Sequence, residues 1–147
     1  MKMLLLANAA ATLLMTGVIW LIQVVHYPLF DRVGAEAFRT YEAAHTNLIT
    51  CVVLPLMLIE LLTAILLVAQ PIPQVPPLVI WVGLGLVGVV WLTTAFVQVP
   101  LHGQLAAGFD VGAHQALVAS NWVRTIAWSL RSGLMIYILY QVISVPG

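Results

Sequence analysis

Charge is what this sequence has least of. Only 7% of its 147 residues are charged, as five acids and five bases. A soluble domain of that length carries roughly 25%. The balance leaves no basic surface for nucleic acid, so no nucleic-acid partner is expected. Cysteine is almost absent as well. Cys51 stands alone, which excludes an internal disulfide and a cysteine-based zinc site. It reads as a small buried apolar residue. The chain has no phosphate-cradling glycine loop, no nucleophile elbow and no His-Glu-x-x-His sequence, which argues against transferase and protease chemistry.

What the chain has in abundance is apolar surface, at 63% of residues. This falls into four long runs, near 3–27, 47–69, 78–99 and 118–143. Each is long enough to cross a hydrocarbon core of about 30 Å, and the short alternating segments of a membrane barrel are missing. The fold expected is all-α: an integral membrane up-down bundle forming one domain over 1–147. The first run is read as a retained helix and not a signal peptide. Its apolar part is too long, and the alanine-rich stretch at 7–11 lies inside it.

Pro71, Pro73, Pro76 and Pro77 make a short uncharged connection between the second and third runs. The connections at 28–46 and 100–117 are expected to be longer. They are partly alike: His26-Tyr27-Pro28-Leu29 parallels Gln98-Val99-Pro100-Leu101, and a histidine opens the next run after each. Two parallel helical-hairpin repeats would explain this, as would the recurrence of Pro-Leu at helix exits. Lys2 favours a cytoplasmic N-terminus whereas Arg32 and Arg39 favour the first loop inside, so the positive-inside rule gives no orientation. Gly83, Gly85 and Gly88 are expected to allow close helix contact.

The four histidines carry the functional signal. His26 follows the first run, His45 precedes the second, His102 follows the third and His114 precedes the fourth. In an up-down bundle all four fall at one membrane surface. Polar residues also form stripes at helical period: His114, Asn121, Trp128 and Arg131 on the last run, with Arg124 close by. Glu42, His45, Glu60 and Thr63 do the same on the second. Gln23 with His26, and Gln98 with His102, are spaced to share a face. Glu60 and Arg131 lie over about 20 Å along their helices from His45 and His114, at matching depth, and are expected to form a structural ion pair or polar network.

Glu42-x-x-His45 presents a carboxylate and an imidazole together, as metal-binding bundles do. The expected metal ligands are therefore Glu42, His45, His102 and His114, for iron, zinc, copper or manganese. His26 is a further ligand or a base, and Arg124 a holder of an anionic intermediate. Asp110, Asn121, Gln98 and Tyr27 are placed to orient the ligands or the substrate. Non-covalent haem on opposing histidine pairs is the alternative cofactor. Copper in a soft site is disfavoured, because Cys51 is the only thiol and no methionines cluster near the histidines.

His26-Tyr27-Pro28-Leu29-Phe30, Glu42-x-x-His45, Pro100-Leu101-His102 and Asn121-Trp122-x-Arg124-Thr125 together resemble a small family of bacterial four-helix membrane proteins, over most of the chain. The general plan is also similar to anthrone-oxygenase-like membrane proteins, through helix number, a proline after the third run and Asn-x-x-Arg early in the fourth. That resemblance implies a small hydrophobic phenol or quinol substrate near the membrane surface, oxidised with oxygen. The oxygenase-like pattern does not require a histidine where His102 stands. The expectations are thus a metal-dependent oxidoreductase of the bacterial inner membrane, a haem- or quinone-binding electron-transfer subunit, or a non-catalytic scaffold or small transporter. Membrane lipids are expected partners of all three, and the sequence leaves the oligomeric state open.

Overall fold

The computed structural model describes residues 1–70 and 72–144, so Pro71 of the proline-rich connection lies outside the described residues. Five α-helices build four spans. α1 (Lys2–Leu21) continues into a π-helical turn (Ile22–His26) and a short 3-10 turn (Pro28–Arg32). α2 (Ala35–Ala69) is the second span. α3 (Pro77–Thr93), a second π turn (Thr94–Gln98) and α4 (Val99–Ala106) together make the third, and α5 (Val111–Ser144) makes the fourth. The spans run 30 to 35 residues and all four are long and apolar enough to cross a membrane. At about 1.5 Å per residue they outreach the roughly 30 Å hydrocarbon layer, so their ends rise into the headgroup region.

The segments expected as long connections are mostly helix. α2 already begins at Ala35, and the third and fourth spans are separated only by 107–110. The physical reason is burial: Phe38, Glu42 and His45 on one side and Leu105, Ala113 and His114 on the other turn inward, which rewards continuing the helix. The reversals that remain use glycine where it is needed. Gly34 (φ 81°) precedes α2 and Gly108 (φ 144°) precedes α5, both in the left-handed region that side chains resist. Asp110 then caps α5, its Oδ1 accepting from the Ala113 N–H at 2.6 Å.

Each π turn ends just before a proline, at the same distance from Pro28 as from Pro100. Proline offers no N–H, and its ring crowds the carbonyl four residues earlier. Widening the turn relieves the clash, and the Tyr27 N–H reaches the Ile22 carbonyl at 2.9 Å. The first and third spans therefore share a device as well as a sequence likeness.

Apolar packing forms two clusters. One, at the histidine end, contains Met15, Ile19, Phe30, Phe38, Leu117 and Trp128. The other, at the opposite end, contains Leu5, Leu67, Ile72, Val75, Met135 and Ile138. Leu48, Leu62, Phe96, Ile136 and Ile143 point outward, as lipid-facing side chains do. Cys51 is also on this outer surface and not in the core. Of the three glycines expected to bring helices together, only Gly83 does so. A Cβ there would stand 3.0 Å from Arg131 Nη1, while Gly85 and Gly88 face open space.

Between the clusters lies a buried polar centre joining all four spans. Arg131 donates through Nε to Glu60 Oε1 (2.7 Å), through Nη1 to the Gly83 carbonyl (2.7 Å) and through Nη2 to Asn8 Oδ1 (2.8 Å). Glu60 also accepts from Thr12 Oγ1 (2.6 Å) and Trp128 Nε1 (2.9 Å), while Asn8 Nδ2 donates to the Glu60 carbonyl and to Thr63 Oγ1. The charged groups are compensated on every side, which is the condition for tolerating them at this depth.

Candidate functional site

At the other end the histidines converge, and the contacts they make are hydrogen bonds. His102 projects from α4 between two partners. Its Nδ1 lies 2.5 Å from Glu42 Oε1 and its Nε2 2.9 Å from the Tyr27 hydroxyl. With Glu42 ionised and His102 neutral, Nδ1–H donates to the carboxylate and Nε2 accepts from the phenol. The carboxylate thereby selects the tautomer and the ring orientation. His114 Nε2 donates to the Tyr27 carbonyl at 2.8 Å, holding the residue that follows the first π turn. His26 Nε2 meets His45 Nδ1 at 2.9 Å. Phe30 packs edge-on against His26, His45 and Tyr27, closing the cluster from the loop side.

This geometry departs from the expected ligand set. Among the described residues, no group of three or more His, Cys, Asp or Glu side chains is placed to hold a metal ion. Both nitrogens of His102 are spent on Glu42 and Tyr27, and Nε2 of His114 on a carbonyl. Two of the histidine pairs pack closely, with their rings tilted. His26 and His45 have centroids 4.6 Å apart, and His45 and His102 5.4 Å. Of the four expected ligands, Glu42 keeps Oε2 and His45 keeps Nε2 without a protein partner.

The other expected site residues separate into two groups. Gln98, Tyr27, His102 and Arg124 line a cavity of about 360 Å³, opposite Thr46, Ile49, Thr50 and Val53 of α2. Arg124 is 5% exposed. It has no carboxylate within ion-pair distance among the described residues. Its Nη1 reaches Asn121 Oδ1 at 3.3 Å, and its guanidinium lies 5.3 Å over the Trp128 ring. Asp110, expected beside the ligands, instead serves the α5 N-terminus through Ala113. Asn121 donates to Gln23 Oε1 at 2.9 Å and so braces α5 against the first span.

Gln23 and His26 do not share a face. Gln23 donates to the Val118 carbonyl on α5, whereas His26 meets α2. The π turn between them breaks the three-residue spacing rule. Tyr41 stacks at 6.4 Å on His45 in a separate groove on the far side of α2, with His26 and Leu48. Trp122 is half exposed and meets Trp20 edge-on at 5.7 Å, while Trp128 is wholly buried.

Buried polar atoms without a protein partner concentrate here. Among the described residues they are Glu42 Oε2, His45 Nε2, Gln98 Oε1, Arg124 Nε and Trp91 Nε1. The first four belong to the histidine cluster or the cavity wall. Sequence reasoning missed the cavity and these orphaned atoms. It also missed Asn8 and Thr12 as partners of the ion pair, although a polar pair four residues apart on an apolar helix is a readable signal. Comparison of the chain with protein-family profiles, curated proteins and solved structures gave no match.

Proposed function

We propose that the protein is an integral protein of the bacterial inner membrane that binds a small hydrophobic phenol or quinol in the Tyr27–His102–Arg124 cavity and removes its hydroxyl proton. The observation that carries this reading is the line of contacts Glu42–His102–Tyr27, at 2.5 and 2.9 Å, ending in the cavity wall. A cavity of about 360 Å³ falls in the roughly 300–1,000 Å³ range of small-molecule sites. Helical spans suit an inner membrane, since outer-membrane spanning proteins are closed barrels.

The proton moves in a balanced relay. The substrate hydroxyl gives its proton to Tyr27 Oη as Tyr27 gives its own to His102 Nε2. The products are a substrate oxyanion near the Arg124 guanidinium and an imidazolium beside the Glu42 carboxylate, so each new charge has a counter-charge. A phenolate gives up electrons more readily than its phenol, which is how this site would serve an oxidoreductase.

The test uses the full chain in lipid nanodiscs with 4-octylphenol as probe. The bound probe is expected to show the red-shifted absorption of a phenolate in the wild type. Y27F and H102A are expected to bind it without that band. Binding of the neutral phenol by the wild type, or an undiminished band in Y27F, overturns the proposal.

A further inference from the structure

Arg124 is a buried cation whose support is unlike that of Arg131. Among the described residues no carboxylate stands within ion-pair distance of it, and its bond to Asn121 Oδ1 is long, at 3.3 Å. What lies beneath it is an aromatic face. Its guanidinium sits 5.3 Å over the ring of the wholly buried Trp128, one helical turn further along α5. Tryptophan gives the strongest cation–π contact of the aromatic side chains, and desolvation strengthens it further.

Trp128 is itself held. Its Nε1–H donates to Glu60 Oε2 at 2.9 Å, while Arg131 Nε and Thr12 Oγ1 grip the other oxygen of the same carboxylate. The indole cannot turn about its side-chain torsions without breaking that bond, so the plane on which Arg124 rests is set from Glu60. The bond also polarises the ring, making its face a better seat for a cation. Glu60 therefore serves both arginines, Arg131 by contact and Arg124 through the indole between them.

We infer that Trp128 is the positioning residue for Arg124. Anchored on Glu60, it holds the guanidinium at the cavity wall as a cation with no carboxylate of its own, ready for an anionic oxygen of the ligand. A carboxylate in that place would occupy the N–H groups, whereas an aromatic face supports the charge and takes none of them. Nη1 bonds Asn121 and Nε is closed off, so Nη2, which makes no hydrogen bond among the described residues, is the nitrogen left for the oxyanion. This rests on the cavity being the ligand site of the proposed function, and adds the residue that aims its cation.

The first measurement needs no ligand. Solvent exchange of the arginine Nε–H groups is followed by NMR in the full chain, labelled at arginine nitrogen and held in lipid nanodiscs. Trp128→Leu is expected to speed exchange at Arg124 about tenfold. Arg131, held by Glu60, Gly83 and Asn8, should change by less than about twofold. Trp128→Phe, which keeps a ring, should fall between wild type and Trp128→Leu, and it carries the test if the leucine variant does not fold. Unchanged exchange at Arg124 overturns the inference. So does equal acceleration at both arginines, which would mark Trp128 as packing alone. The second measurement is calorimetry with 4-octylphenol and its neutral methyl ether, 4-octylanisole. Trp128→Leu should weaken the phenol about tenfold, the worth of a desolvated cation–π contact, and the ether by less than about twofold. Equal weakening of the two also overturns the inference. If the wild type never forms the phenolate, the proposed function falls, and exchange at Arg124 decides the inference by itself.

Discussion

Glu60 and Glu42 are both fully buried carboxylates on α2, one facing Arg131 and the other His102. Glu60 uses both oxygens, accepting from Arg131, Thr12 and Trp128. Glu42 uses one, and its Oε2 has no protein partner. The same contrast separates the arginines. Arg131 spends Nε, Nη1 and Nη2 on three different spans, while Arg124 keeps Nε free beside a cavity. A completed network gives rigidity and no opportunity for binding. An incomplete one costs stability, and proteins keep such sites where a ligand or a reaction completes them.

The largest expected difference between the two centres is in stability. R131M leaves the Glu60 carboxylate buried with its principal partner gone, and should lose about 3–5 kcal/mol of unfolding free energy in mixed micelles. E42Q, which retains an oxygen for His102, should lose no more than about 1.5 kcal/mol. The double variant E60L/R131M should regain most of the loss, because removing both charges removes the uncompensated one. Equal losses for R131M and E42Q would break the comparison.

A smaller effect is expected at Gly83, where an added Cβ meets the tethered guanidinium of Arg131. G83A should cost about 1–3 kcal/mol, while G85A, in open space, should be neutral or slightly stabilising in the same unfolding measurement. The smallest stability effect belongs to Gln98→Met at the cavity. It removes one hydrogen bond and one orphaned acceptor, two changes that oppose each other, so the unfolding free energy should move by less than about 1 kcal/mol. A loss as large as that of R131M would show Gln98 to be part of the architecture.

The spans and the convergence of polar residues were readable because long apolar runs and bilayer thickness leave few alternatives. Glu60 and Arg131 could be matched by counting 1.5 Å per residue along uninterrupted helix. The histidine end was less readable for two physical reasons. The π turns at Ile22–His26 and Thr94–Gln98 shift the phase, so spacing rules that place Gln23 with His26 on one face fail there. The segments around Glu42 and His114 look too polar for a span, yet they fold as helix, burying Glu42 against His102 and His114 against the Tyr27 carbonyl. What histidines do with their nitrogens, bonding to a carboxylate, a phenol and a carbonyl, depends on sub-ångström placement that no residue spacing encodes.

The four-span grip of Arg131 also sets an order of events at birth. A membrane protein emerges N-terminus first, and Glu60 enters the bilayer with the second span while its partner still waits on the fourth. Until α5 arrives, the carboxylate, the Asn8 amide and the Gly83 carbonyl share a compartment with no cation to join them. The last span is therefore the locking step of assembly. A chain cut short before it would leave the Glu60 carboxyl in the hydrocarbon layer without its cation partner.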